Sequence, residues 1–194
     1  MNSEKKYTLN NRMTHSSAIR ALLSDLGSKN GRVRQVAREK LVMIGRAAVP
    51  HLIGLLDHPN DILRWEGVKA LGGIADPDSV PALIKALSDP NEQVRWLAAE
   101  GLIAVGPTVI GPVLEELLCD PKSLLIQRGV HRVLTGLSSG MKMKELYDLI
   151  GVLNHPRPEL YAPSVAYRIL RNVGRSRSRR NFCSEDRNSG RRAA

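Results

Sequence analysis

Apolar residues in this chain recur at helical spacing, and the helical segments themselves recur about every 31 residues. The clearest repetition lies in residues 61–106, where Ile62-Leu63-Arg64-Trp65 is answered by Gln93-Val94-Arg95-Trp96. Each of these segments opens an apolar-rich run, which leads through a Val-Pro or Gly-Pro turn into a leucine-rich segment. Residues one period apart share a chemical character, and this period is typical of helical repeat proteins.

Two columns of prolines and three columns of apolar residues define the register of the repeats. The spacing within each column is 30 or 31 residues wherever the period holds. A helix of about a dozen residues with one apolar stripe cannot bury it alone, so neighbouring helix pairs are expected to stack. The columns are Pro50, Pro81 and Pro112; Pro59, Pro90 and Pro121; Val33, Leu63, Val94 and Leu125; Leu22, Leu52, Leu83 and Leu114; and Leu41, Leu71, Leu102 and Val133.

The sequence therefore predicts an all-α fold, a right-handed α-solenoid of about five antiparallel helix pairs. We expect the solenoid to span residues 15–173, between a flexible polar extension at 1–14 and a disordered basic tail at 174–194. The period slips beyond Leu134, where residues 135–140 are predicted to form a lengthened loop within the segment 135–144. The last helix departs furthest from the pattern, as terminal repeats tend to.

The net charge of +10 is concentrated at the C-terminal end of the chain. Residues 171–194 contain eight arginines against Glu185 and Asp186, so +6 of the charge lies in these residues. The basic character is therefore mainly a property of the tail. The aromatic content of 4% predicts a core of Leu, Ile, Val and Ala, which suits stacked helices better than packed strands.

The two cysteines, Cys119 and Cys183, lie far apart and in different contexts. Their spacing indicates neither a disulfide framework nor a metal site, so a reducing compartment is expected. The N-terminal residues lack the apolar core of a signal peptide, and no run of apolar residues reaches membrane-spanning length. We therefore expect a cytoplasmic protein that does not associate with membranes.

The motif Val-Arg-x-x-Ala, followed by Ala-Leu-Gly-x-Ile, resembles HEAT repeats. It occurs at Val33-Arg34, Leu63-Arg64 and Val94-Arg95, with Leu71-Gly72-Gly73-Ile74 as the second element. The repeats look most like the short kind found in phycobilisome-lyase-like proteins and in archaeal and bacterial scaffold proteins. The resemblance covers roughly residues 15–173. It is specific for fold and unspecific for function, because such repeats serve chromophore lyases, hydroxylases, adaptors and scaffolds alike.

The resemblance implies that the Val-Arg helices line a concave side and the leucine-rich helices a convex side. It further implies a ladder of arginines, Arg34, Arg64 and Arg95, which pair with acidic or carbonyl groups near the turns. We call these three residues the ladder arginines. The ladder is expected to stop in the fourth repeat, where Ile126 occupies the position. The candidate acidic partners are Asp57, Asp89 and Asp120.

The only two tryptophans of the chain, Trp65 and Trp96, each follow a ladder arginine. The helical pattern predicts that both are exposed on the concave side and lie side by side, about 10 Å apart between helix axes. Exposed tryptophans are frequent central contacts of protein interfaces, because they bury a large area at a small entropic cost. In the alternative interpretation, both rings pack on the arginine stems and help to stack the repeats.

The columns next to the tryptophans mix both signs of charge with apolar side chains, which favours a protein or peptide partner over a nucleic-acid backbone. Alternatively, these columns are solvated helix faces with weak local ion pairs. Together with Trp65 and Trp96, the candidate partner-binding residues are Gln35, Glu66, Lys69, Leu97, Glu100, Gln127, Arg128 and His131.

The sequence offers no convincing catalytic group, and we expect neither a cofactor nor a metal. His131 projects near Glu100, but no third group orients this pair and no nucleophile is evident. No His-Glu dipeptide occurs, which argues against the iron chemistry of the HEAT enzyme deoxyhypusine hydroxylase.

A non-catalytic scaffold or adaptor is therefore the first hypothesis, with a protein or peptide partner on the concave face. One alternative is a nucleic-acid-associated protein that uses the arginine-rich tail. The other, suggested by the resemblance, is a chromophore-lyase-like subunit. The tail residues that matter for the first alternative are Arg175, Arg177, Arg179 and Arg180.

Overall fold

A computed structural model of the chain describes residues 17–138 and 144–173, and it confirms the predicted all-α fold. Within these ranges the chain forms helices joined by short turns, and no strand is present. The helices are α1 (17–25), α2 (Gly31–Ile44), α3 (Val49–Leu55), α4 (Asp61–Ile74), α5 (Val80–Ala86), α6 (Glu92–Val105), α7 (Ile110–Cys119), α8 (Leu124–Ser138), α9 (Lys144–Leu153) and α10 (Pro158–Val173). The predicted extension at 1–14 and the predicted tail at 174–194 fall outside the described residues.

The chain divides into two compact units at Gly106. In the first unit, the Val-Arg helices α2, α4 and α6 all begin after an asparagine cap. The side-chain oxygen of each cap accepts a hydrogen bond from the amide two residues later, which satisfies one of the free amides at the helix start. These caps, at 2.9, 2.9 and 2.8 Å, fix the same starting point in each repeat; they are Asn30, Asn60 and Asn91.

Helix α4 packs against both α2 and α6. Of the leucine-rich helices, α3 packs against α4 and α5 packs against α6. The predicted apolar columns form the core between them. Leu41, Leu71 and Leu102 from the Val-Arg helices are fully buried, as are Leu52 and Leu83 from the leucine-rich helices. The periodic leucines therefore account for how these helices stack.

Helices α4 and α6 approach each other closely at two glycines. A Cβ atom placed on Gly72 would lie 3.1 Å from the Cα of Gly101. A Cβ on Gly101 would lie 3.2 Å from Cδ1 of Leu83 and 3.3 Å from the Cα of Gly72. The two backbones thus meet where neither residue carries a side chain, and larger residues at these positions would force the helices apart.

In the second unit, α8 packs against α7 and α9, and α10 packs against α7 and α9 as well. The predicted loop at 135–140 is wrong for its first four residues, because α8 continues to Ser138. The reason is Leu137, which is buried and extends the apolar stripe of Val130, Val133 and Leu134 by one more turn. Residues 139–143 lie outside the described part of the chain.

Cys119 lies half-buried at the end of α7, as expected for a small apolar side chain. Cys183 lies outside the described residues. No single described helix is long and apolar enough to cross a membrane, and only the consecutive segments Glu92–Val105 and Pro107–Cys119 taken together meet that criterion.

Candidate interaction surface

The ladder arginine Arg64 closes the turn that precedes its own helix. Its Nη1 donates to the carbonyl oxygens of His58 at 2.9 Å and Pro59 at 3.1 Å. Its Nε and Nη2 donate to the two carboxylate oxygens of Asp89, at 2.7 and 3.1 Å. The hydrogen bond to Asp89 raises the pKa of Arg64, and the predicted pairing with Asp89 is confirmed.

The other two ladder arginines repeat the contact with backbone carbonyls but not the same carboxylate partner. Nη1 of Arg34 donates to the carbonyls six and five residues before it, at 2.8 and 3.3 Å, and Nη1 of Arg95 does the same at 2.7 and 2.9 Å. Asp57, expected to be a ladder partner, instead accepts from Nζ of Lys85 at 2.6 Å. The shared role of the ladder is therefore to hold the turn before each Val-Arg helix.

Glu66 was expected on the exposed face, but it is buried, with 2% of its surface exposed. Its Oε1 accepts from Nε of Arg34 at 3.1 Å, and its Oε2 accepts from Nη1 of Arg38. The reason is its position on the flank of α4 that packs against α2. Glu66 therefore neutralises two arginines between these helices, and it is not available to a partner.

Gln127 was also expected on the exposed face, and it too is buried. Its Nε2 donates at 2.6 Å to the carbonyl of Pro121, six residues before it, which is the bond that the ladder arginines make. Helix α8 begins three residues after Pro121, whereas α4 and α6 begin two residues after Pro59 and Pro90, so Gln127 and not Ile126 aligns with Arg95. No arginine continues the ladder in the fourth repeat, as predicted, but the residue at that position is Gln127 and not Ile126, and it makes the bond to the turn carbonyl.

This correction shifts the other α8 candidates by one position. Arg128, which is exposed, becomes the counterpart of Trp96. His131 is half-buried and aligns with Ala99, so the expected alignment with Glu100 does not hold. Nε2 of His131 is buried without a hydrogen-bond partner in the described part of the chain.

The two tryptophans differ in their surroundings, although they occupy equivalent positions. Trp65 is half-buried, with Nζ of Lys69 lying 4.3 Å and Cζ of Arg38 5.7 Å from its ring centroid. Both distances are within the range of cation–π attraction. Trp96, one repeat later, is 47% exposed. The packing interpretation thus fits Trp65, and exposure is confirmed for Trp96.

The remaining candidates lie around these rings in the first unit. Gln35 is exposed, and its Nε2 donates to Oε1 of Glu39 at 2.9 Å. Lys69 is exposed, whereas Leu97 and Glu100 are half-buried. We define the Trp face as the two rows that these helices present in register, namely Gln35, Trp65 and Trp96 with Glu39, Lys69 and Glu100. The tail arginines Arg175, Arg177, Arg179 and Arg180 lie outside the described residues.

Arg38 is a residue that the sequence pattern did not single out. It links Glu66 to Trp65 and so joins the buried ion pairs to the Trp face. Its counterparts in the following repeats are Val68 and Ala99, both buried and apolar. The sequence signal that could have identified Arg38 is its position as the one arginine in a column whose next two members are apolar.

The described residues include no group of three or more His, Cys, Asp or Glu side chains that could hold a metal ion. The charged groups beneath the Trp face are engaged with one another and with turn carbonyls. Trp96 and Lys69 are both exposed at this surface.

Comparison with known proteins agrees with this geometry. Residues 49–135 match a family model described as HEAT repeats, so the predicted HEAT repeats are confirmed for this part of the chain. A chain from the complex of CpcE and CpcF of phycocyanin lyase from Nostoc sp. PCC7120 has a similar fold, with a TM-score of 0.55 and 24% identity. The match covers 81% of this chain and 99% of that one. An engineered protein of known structure matches with a TM-score of 0.42 and 21% identity, over 80% of this chain and 78% of its own. No curated protein matches the sequence.

Proposed function

We propose that this protein is a non-catalytic adaptor that binds a protein or peptide through the Trp face. The observation that carries the proposal is the exposure of Trp96, at 47%, beside the exposed Lys69. HEAT repeats are in general suited to protein interaction, which agrees with this role. Trp96 is the central contact, and Trp65 contributes chiefly by presenting Lys69.

The support beneath the surface favours binding over chance exposure. Glu66, Arg34 and Arg38 join α2 to α4, and Asp89 joins Arg64 to the turn before α6. Helices α2, α4 and α6 therefore present the Trp face on a rigid base. A surface that is ordered before binding loses little conformational entropy when a partner docks.

The chemistry of the surface indicates an extended peptide or a helix with one large apolar side chain and at least one carboxylate. The apolar side chain would pack on the indole of Trp96, and the carboxylate would pair with Nζ of Lys69 above the Trp65 ring. The acidic Glu39 and Glu100 in the same row as Lys69 disfavour a nucleic-acid backbone.

A displayed library of random peptides, selected on the full-length protein, tests this proposal. Selected peptides are then titrated by fluorescence anisotropy against the wild type, Trp96→Ala and the matched control Tyr167→Ala. Tyr167 lies on α10 and is 60% exposed, so its truncation also removes exposed aromatic surface.

We expect Trp96→Ala to weaken binding by about thirtyfold or more, as at an interface hot spot, and Tyr167→Ala to change it less than twofold. Lys69→Ala should weaken the binding of acidic peptides more than that of neutral ones. Peptides that bind Trp96→Ala as tightly as the wild type would contradict the proposal.

A second candidate function is a chromophore-lyase-like subunit, for which the similar fold of a phycocyanin lyase chain over 99% of its length is the supporting observation. Co-expression with a biliprotein and its bilin tests this function. A covalent coloured adduct that forms only with this protein present would support it. If no adduct forms in a host where a known lyase produces one, the lyase function is rejected and the adaptor function is the one that remains.

A further inference from the structure

A second exposed surface lies on α2, on the side facing away from α4. Val33, Val36 and Met43 point into solvent there, with exposures of 37%, 42% and 86%, and exposed Lys40 lies among them. Their spacing places all four on one stripe of the helix. We call this stripe, Val33, Val36, Lys40 and Met43, the open flank.

The corresponding stripe of the next two Val-Arg helices is covered by a neighbouring helix over its first three positions, and only the last position, Gly73 or Ala104, is exposed. On α4, Glu66 pairs with Arg34 and Arg38 of α2. On α6, Gly101 meets Gly72 of α4, and Val94 is fully buried. Each of these stripes therefore receives the preceding Val-Arg helix, and the stripe on α2 has the same form.

No Val-Arg helix precedes α2 in the described part of the chain, where α1 is a leucine-rich helix. One period before Leu41 stand Asn10 and Asn11, so the apolar column of Leu41 does not continue to these positions. The open flank is therefore an apolar stripe that no described Val-Arg helix covers.

The charges on the open flank indicate what covers it. Where α4 has Glu66 and Ala70, α2 has Val36 and Lys40, so the flank lacks the carboxylate that receives arginines and carries a cation instead. Arg32, also exposed, lies at its margin. The nearby Glu39 lies on the Trp-face side and accepts a hydrogen bond from Gln35. A helix like those within the chain, with arginines facing the flank, would be repelled.

We propose that the open flank binds an acidic amphipathic helix of a partner protein, which stacks where a preceding Val-Arg helix would lie. Its apolar side chains cover Val33, Val36 and Met43, and its carboxylates pair with Lys40 and Arg32. A second copy of this chain is a poorer occupant, because the chain carries a net charge of +10 and the exposed face of α10 contains Arg168 and Arg171.

The probe is a synthetic amphipathic helical peptide with leucine and alanine on one face and glutamate along both edges of that face. A second peptide has lysine in place of each glutamate. Both are titrated against full-length wild type, Val36→Glu, Lys40→Glu and Trp96→Ala, and circular dichroism confirms that each variant is folded. Val36 and Lys40 are exposed, so these substitutions leave the core intact.

We expect the glutamate peptide to bind the wild type at least about tenfold more tightly than the lysine peptide. Val36→Glu should weaken its binding by about tenfold or more, Lys40→Glu should shift the preference towards the lysine peptide, and Trp96→Ala should have no effect. Loss of binding in Trp96→Ala alone would place the peptide on the Trp face and overturn the proposal while leaving the proposed function standing.

Two further measurements distinguish a partner helix from the other possible occupants of the open flank. If deletion of residues 2–16 increases peptide affinity by about tenfold, the chain's own N-terminal segment competes for the flank, and the proposal of a partner helix fails. If the wild type forms a dimer in analytical ultracentrifugation that Val36→Glu dissociates, the occupant is a second copy, and the proposal fails as well. A monomer with unchanged affinity after the deletion supports it.

Discussion

Helix α4 in the first unit and helix α8 in the second each follow a turn that contains a proline. The fourth residue of α4 is an arginine, whereas the fourth residue of α8 is a glutamine. Arg64 bonds to the carbonyls of His58 and Pro59 and to both oxygens of Asp89. Gln127 makes one bond to the carbonyl of Pro121. The comparison teaches that the repeat preserves a hydrogen bond to the turn, while the side chain that makes it and the length of the turn can change.

The difference in side chains also changes what the turn is attached to. Arg64 reaches across to Asp89 and so couples its own turn to the turn before α6. Asp89 in turn accepts a hydrogen bond from the amide of Asn91, which caps α6. Gln127 has a single amide nitrogen to donate and serves the turn of its own helix. The ladder is therefore an inter-repeat device at α4 and a local one at α8.

The largest expected effect is the loss of Arg64. Arg64→Ala leaves Asp89, which is 8% exposed, without its cation and leaves two turn carbonyls without their donor. We expect a loss of about 3 kcal/mol in the free energy of unfolding, measured by urea denaturation. Gln127→Ala removes one hydrogen bond and should cost about 1 kcal/mol. Equal losses for the two variants would contradict the distinction between an inter-repeat and a local contact.

A smaller effect is expected from exchanging a residue between the two regions. The counterpart of Gly101 in α8 is Val133, which is fully buried. Gly101→Val places a side chain against Leu83 and the backbone of Gly72, and should cost about 2 kcal/mol. The matched control is Gly111→Ala, where an added Cβ meets nothing within 4 Å and the gain in helix propensity should stabilise the protein slightly. A stable Gly101→Val variant would show that α4 and α6 do not need their close approach.

The smallest effect is expected at the helix caps. The side chain of Asn60 accepts from the amide of Ile62 at 2.9 Å, whereas Oγ of Ser123 accepts from the amide of Ile126 at 3.3 Å. Asn60→Ala should cost about 1 kcal/mol, and Ser123→Ala should cost less because its bond is longer. The measurement is thermal denaturation followed by circular dichroism. A larger loss at Ser123 would reverse the expected order.

The apolar columns could be predicted from the sequence because burial of Leu41, Leu71 and Leu102 depends on a helical period that one chain displays directly. The pairing of Arg64 with Asp89 was equally accessible, through the resemblance to HEAT repeats. The role of Gln127 could not be predicted, because one additional residue between Pro121 and the start of α8 moved the true register by one position, while Leu125 kept the predicted apolar column plausible.

The different surroundings of the two tryptophans could not be predicted from their positions in the repeat. Trp65 and Trp96 follow ladder arginines in the same way, and what separates them is the neighbouring repeat. Trp65 has Arg38 on the preceding Val-Arg helix, whereas the equivalent residue before Trp96 is Val68. The burial of Glu66 has the same origin, because its two arginine partners both belong to α2.

The most direct test of the account is a comparison of the melting temperatures of Trp65→Ala and Trp96→Ala. Trp65 contacts Lys69 and Arg38, so its truncation should lower the melting temperature by about 5 °C, while Trp96→Ala should stay within about 1 °C of the wild type. That result would leave Trp96 as an exposed side chain retained for binding. A loss for Trp96→Ala as large as that for Trp65→Ala would show that both rings stabilise the repeats, and it would contradict the assignment of Trp96 to a partner.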